Sequence, residues 1–259
     1  MIDRQVSTSD LALLPCPRST PSYYPVSHHD VARISLDSLE SAGYQIRNER
    51  WTLSNNDQRI FGVIDLNLPL ARWDTSGKGV TVAIGVRSSY DKKLPLGIVA
   101  GSRVFVCSNL AFCGEISFKR KHTKFGLTDF QNQITQAIDK LPAYQALESE
   151  RINSWMNYEM SQHQSDALLL ALFESGTISI RQFQQIMAEY RKPTYEDFSG
   201  KITLWNFFNR ITTALRERGK DRPLSHSQET SQLISRLNLI LKPPENNIIQ
   251  PLAIEYSGD

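Results

Sequence analysis

Eight consecutive residues, Phe118-Lys119-Arg120-Lys121-His122-Thr123-Lys124-Phe125, put four cations and an imidazole between two aromatic rings. Cations at that density neutralise phosphates, and rings stack on unpaired bases for about 1–3 kcal/mol each, so the segment suits a single-stranded nucleic acid. Arg103 joins the group if the chain folds back beside it. The same composition also suits a solvated loop, because a basic stripe is a footprint rather than a motif. A second basic group, Arg216, Arg218, Lys220 and Arg222, stands where it would complement the C-terminal end of a helix dipole.

Other clusters carry less chemistry. Cys107 and Cys113 are too far apart for the tight knuckle of a zinc site, and His122 adds only a third ligand. Small buried thiols in a sheet explain the cysteines. In His28-His29-Asp30 the adjacent imidazoles point in different directions on a helix or a strand, and Asp30 reads as a helix N-cap. Ser88-Ser89-Tyr90-Asp91 follows a strand and reads as a turn, since serine and aspartate side chains bond their own backbone. Phosphate-cradling glycine loops, a serine elbow and a His-Glu-x-x-His pair do not occur. A metal-dependent hydrolase would need carboxylates such as Asp65, Asp74, Asp91 and Glu115 to converge. No catalytic residue, metal ligand or cofactor is assigned, and the chain reads as a binding protein rather than an enzyme.

The elements that must position these residues follow from the hydrophobic period. The fold class is α+β: a short helix, a mainly antiparallel sheet of four to six strands, then a helical C-terminal half. Residues 1–25, interrupted by Pro15, Pro17, Pro21 and Pro25, read as an extended arm. Residues 26–142 form the sheet region, opened by a helix from Asp30 to Ser41 that Gly43 stops. Alternating Ile60-to-Leu68 and Val80-to-Val86 runs make strands, Ser54-Asn55-Asn56-Asp57 a hairpin turn, and Leu96–Val99 and Arg103–Cys107 two further strands turning at Ala100-Gly101-Ser102. Thr128 and Gln131 suggest a capping box for a helix that Pro142 kinks or ends. Residues 143–242 form the helical region, with helices from Ala143 to Ser175, from Ser179 to about Tyr190, from Thr203 to Arg218 and from Gln228 to Leu241. Residues 243–259 are a tail.

Composition bounds the partners. A formal charge of +2 over 259 residues implies no polyanion by itself, so electrostatics must come from local clustering. Three cysteines without repeating spacing suit a reducing cytoplasm, and the longest apolar run is far short of the roughly 20 residues of a membrane span.

Val82 to Ser89-Tyr90-Asp91, then Gly101 to Val106-Cys107-Ser108-Asn109, then Gly114 and His122, resemble a family of unknown function numbered nine-hundred-thirty-two. The resemblance extends back to Ser38-Leu39 with Gly43-Tyr44 and forward to Leu204-Trp205-Asn206-Phe207-Phe208, with Leu110 departing where relatives often carry glycine. It implies a protein of phages, prophages or plasmids working in the cytoplasm of a bacterial host. It brings no established activity, and Ser89, Tyr90, Asp91, Cys107, Asn109, Gly114 and His122 enter only as family-motif positions. The order helix, sheet, long helix is similar to that of single-strand annealing proteins, a likeness of fold alone. The expected function is non-enzymatic binding of single-stranded DNA or RNA in recombination or replication. Arg103, Lys119, Arg120, Lys121 and Lys124 would hold phosphates, and Phe118 or Phe125 would stack. An inhibitor that binds a host defence or replication protein is the alternative, and a homo-oligomer fits either.

Overall fold

The computed structural model describes residues 4–72, 79–104, 110–111, 117–120, 122–196 and 200–215, by backbone alone at 72, 103–104, 110–111, 117–120 and 215. Two short elements open it, β1 (Arg4–Val6) and α1 (Thr8–Ala12), followed by α2 (His28–Ser41). Next come β2 (Ile46–Ser54), β3 (Arg59–Arg72), β4 (Gly79–Ser89), β5 (Leu96–Val104), β6 (Leu110–Ala111) and β7 (Ser117–Arg120). The rest is helical: α3 (Gly126–Asn157), α4 (Gln162–Glu174), α5 (Ile180–Arg191) and α6 (Leu204–Leu215).

The fold is α+β, and every strand pairing is antiparallel. Strand order is β1-β2-β3-β4-β5, with the outer edge of β5 divided between β6 and β7. Four strands are long and three short, and the short ones span too few residues to leave a periodic signal. Period two sends alternate residues to opposite faces. On one face Trp51, Leu53, Ile60, Ile64, Val82, Ile84, Val86, Leu96 and Ile98 join Val31 and Leu39 of α2 and Phe130, Ile134 and Leu141 of α3 in one apolar core. That core continues through Leu169, Leu172, Ile186, Phe207 and Ile211. On the opposite face Val63, Ala83 and Val99 form a small separate cluster.

Gly62 shows how tightly the helix-facing side is packed. It stands opposite Trp51 in the β2–β3 ladder, and a Cβ there would meet the indole Cζ3 at 2.0 Å. The β2–β3 turn places Asn55, Asn56 and Asp57 all at positive φ, a conformation that short polar side chains tolerate. Gly43 (φ +83°) and Gly176 (φ +67°) end α2 and α4, and Tyr44 and Thr177 each donate back to the carbonyl five residues earlier.

Several expectations are corrected. The first half of the arm is structured: β1 extends the sheet along β2, and Leu11 is buried. Ser7 with Asp10 makes a capping box at α1, a signal that the prolines further on obscure. Ser27 rather than Asp30 caps α2; Asp30 supplies the backbone N–H that Ser27 Oγ accepts. Ala100-Gly101-Ser102 is not a turn, because β5 runs through it in unbroken register with β4. The capping box at Thr128 is absent: α3 starts at Gly126 after Phe125, without a side-chain cap. Pro142 does not end that helix, which is 32 residues long and runs on to Asn157. The next helix begins afresh at a Ser161–Gln164 capping box, whereas the Ser179–Gln182 box stands as read. The helix expected at Gln228–Leu241 and the tail lie outside the described residues.

Candidate functional site

In a meander of this order the β2–β3 and β4–β5 turns lie at the same end of the sheet. Tyr90 N–H donates to Gln58 O at 2.7 Å and ties the two turns together. Ser89 closes the second turn: its hydroxyl donates to Leu94 O and accepts from Leu94 N–H, at 3.0 and 2.9 Å. Asp91 joins both turns by accepting from Arg59 Nε (2.6 Å), Asn55 Nδ2 (3.0 Å) and Lys93 N–H (3.0 Å). Burial works against its charge, yet the Lys93 N–H, the Arg59 guanidinium and Ser89 together hold its pKa below the ordinary carboxylate value.

The first turn of α2 docks onto the same end. His28, fully buried, stacks its ring on that of Tyr90 with centroids 3.8 Å apart and planes 6° from parallel. The Tyr90 hydroxyl accepts His28 N–H at 2.8 Å. This satisfies one of the donors that every helix start leaves free. Asp57 O lies 3.1 Å from His28 Nε2, which fixes the proton on that nitrogen. Burial drives the His28 pKa down to about 4 and the Tyr90 hydroxyl upward. Tyr23 donates to Tyr90 O (3.1 Å) and Ser89 O (3.3 Å), and its ring lies 5.5 Å from that of His122. Tyr24 N–H donates to His122 O at 3.2 Å. His122 is buried too, and burial lowers its pKa. Cys16 touches Pro25 O, and burial raises its thiol pKa, so it is not an activated nucleophile.

Ser89, Tyr90, Asp91 and His122 are thus brought together, with Tyr23 and His28, as a clasp on the turn end of the sheet. Sequence reasoning missed Tyr23, and it passed over His28 by asking whether that residue could ligate rather than stack. Cys107, Asn109 and Gly114 lie outside the described residues. His28 and His122 are buried and neutral, and His28 Nε2 is spent on a carbonyl. Among the described residues no three His, Cys, Asp or Glu side chains could share a metal ion. Asp65 and Asp91 do not converge: Asp65 opposes Ala83 and Asp91 lies beyond Ser89, roughly 20 Å or more along β4. Glu115 is outside the described residues.

The basic segment arrives at this same end, because β7 runs antiparallel to β5 and pairs Arg120 with Leu96 at the start of that strand. Its residues do not share one surface. Phe118 and Arg120 oppose Ile98 and Leu96, which are positions of the helix-covered face, while Lys119 opposes Gly97 on the other face. Arg103 is not adjacent. It pairs with Thr81 and Leu110 at the far end of β5, about 20 Å from the Gly97 row. Lys121 lies outside the described residues. Lys124 is exposed, Phe125 is 66% exposed, and Lys92 and Lys93 stand exposed on the neighbouring turn, Lys92 over the Tyr23 ring at 4.6 Å. Among the described residues neither Lys93 nor Lys124 is in an ion pair.

Residues 19–238 match the family described as a domain of unknown function, DUF932. No curated protein and no solved structure matches the chain. No helix among the described residues is long and apolar enough to cross a membrane.

Proposed function

We propose that this chain, which belongs to the DUF932 family, binds single-stranded nucleic acid at the turn end of its sheet and performs no chemistry on it. The observation that carries the reading is the register of β7. It brings the strand holding Lys119 and Arg120 to the end where Lys92 and Lys93 stand exposed, and leads on to the exposed Lys124 and Phe125. Cations with water around them can exchange counterions for phosphates, and an exposed ring can stack on a base. The stacking role goes to Phe125 rather than Phe118, whose strand position lies on the helix-covered face. The clasp of Tyr23, His28 and Tyr90 is the rigid support beneath these side chains. A role in recombination or replication of a phage or plasmid in its bacterial host accords with this reading.

Fluorescence anisotropy with labelled oligo-dT, the matching RNA and a duplex tests it. Affinity for the single strand falls with salt at a log–log slope of roughly −0.7 per phosphate contact. Replacing Lys93, Lys119, Lys121 and Lys124 by alanine weakens binding and flattens that slope, while Phe125→Ala weakens binding without changing it. Equal binding by the wild type and the fourfold variant removes this surface from consideration. A preference for duplex removes the stacking role.

A further inference from the structure

The second face of the sheet holds cations that no carboxylate among the described residues neutralises. Arg50 on β2 opposes Val63, and Arg87 on β4 opposes Phe61, so both arginines and the ring project from the face away from the helices. Phe61 lies on β3 between them, directly across from Arg87 and diagonal to Arg50. The two arginine Cα positions are two strands and one register row apart, roughly 12 Å. Both arginines are half-buried, and the Nε of each is buried with no hydrogen-bond partner. Neither is in an ion pair among the described residues. Arg59, on the same face, is held by Asp91. A guanidinium partly withdrawn from water without a carboxylate costs stability, and burial alone lowers the Arg87 pKa.

The surroundings fit a chain laid across the strands. Gly97 is the cross-strand neighbour of Arg87, and Gly85 opposes Val99 in the adjoining row, so these two positions beside Arg87 carry no side chain. Thr52, Phe61 and Arg87 are half-buried, whereas Val63, Ala83 and Val99 in the neighbouring rows are nearly closed off. Solvent therefore reaches the face nearest the turn end. The same row continues through Gly97 to Lys119 on β7. Asp65, a carboxylate on this face, lies beyond the covered row and accepts from Asn48 Nδ2.

We propose that Arg50, Phe61 and Arg87 form a second contact for the same single strand, the two guanidiniums taking separate phosphates and the ring between them one base. This rests on the single-strand reading above, and it extends the contact from the turn end onto the sheet. Alternating cations and an aromatic ring over a glycine floor serve a strand read by its backbone and ring faces, without sequence preference.

The test uses the full chain, fluorescein-labelled dT20 and the variants Arg50→Gln, Arg87→Gln, their double and Phe61→Leu. The double variant should bind about tenfold or more weakly, with the salt slope smaller by roughly 0.7 for each phosphate no longer held. Arg50→Lys/Arg87→Lys should keep the slope, and Phe61→Leu should lose about fivefold or more at every salt concentration. Melting temperature separates a structural role. Removing an unpaired, half-buried charge should leave it level or raise it, and a fall that tracks the loss of binding overturns the proposal. Unchanged affinity and slope in the double variant also overturn it, and leave the turn-end reading standing if the wild type binds dT20. A wild type that does not bind dT20 overturns both.

Discussion

His28 is poorly placed to hold a charge: its ring is fully buried and lies flat on Tyr90, and its Nε2 is committed to Asp57 O. Folded, it titrates near 4, against about 6.5 for a free imidazole. Between those values the unfolded chain takes up a proton that the folded chain cannot. Stability therefore rises with pH across this window and is complete above it. His122, also lowered by burial, acts in the same direction. Asp91, lowered by its partners, loses its contribution only as pH falls below the ordinary carboxylate range. Chemical denaturation at pH 7 and at pH 4.5 should differ by roughly 2–3 kcal/mol, and His28→Phe should remove most of that difference. Equal pH dependence in the two proteins would mean that the imidazole is hydrated after all. Tyr90→Phe keeps the stack but leaves His28 N–H without its acceptor, a loss of about 1–3 kcal/mol read from the denaturation midpoint.

At the scale of elements, the packing of β3 against β2 depends on a missing side chain. Gly62→Ala places a methyl inside the Trp51 ring, and neither the ladder nor the buried indole can move aside cheaply. The expected loss is about 3 kcal/mol or more, and Trp51→Leu in the same chain should recover part of it. Unaltered thermal stability of the single variant would show that the indole has space to turn. Gly62 was legible in the sequence only as one position in an alternating run, because a close approach across strands leaves no local mark. Strands β3, β4 and the start of β5, the Asn-rich turn and the glycine stops were legible, since period two and positive φ are local demands. Strand β2 was not: Arg47, Asn48, Glu49 and Arg50 break the apolar alternation, yet pairing with β3 imposes the extended form. Helix α3 ran past Pro142 because its apolar stripe, Phe130 through Trp155, is buried on both sides of the proline. The site was legible as two unrelated groups, a Ser-Tyr-Asp turn and a basic run. That they meet at one end of the sheet is a property of strand order. Arg50 and Arg87 passed unnoticed because charges within strands read as mere alternation until their face is known.

For the whole molecule, the two edges of the sheet decide whether it remains a separate unit. The outer edge of β5 is shared by the two-residue β6 and the four-residue β7, and the other edge ends in the three-residue β1. Short edge strands offer little backbone for another chain to pair with. β1 is kept in place by few interactions: the ladder from Arg4 to Val6 along Leu53 to Trp51, the Arg4–Asp57 ion pair at 2.9 Å, the Thr8 hydroxyl donating to Glu49 Oε1 at 2.9 Å, and Leu11 of α1 inserted into the core. Both partners of that ion pair are largely solvated, so Leu11 is the main anchor. Leu11→Ala should cost about 2–5 kcal/mol if the hole stays open, less if α1 simply lifts away. Removing residues 1–13 goes further, because it uncovers Trp51 to Leu53, the part of the nine-residue β2 that β1 pairs. Compared with the full chain, the truncated protein should show added mass in light scattering that grows with concentration. It should also show faster amide exchange along β2 than along β4, which stays paired on both sides. If its mass and its β2 exchange match those of the full chain, β1 is an ornament on an edge that something else already guards.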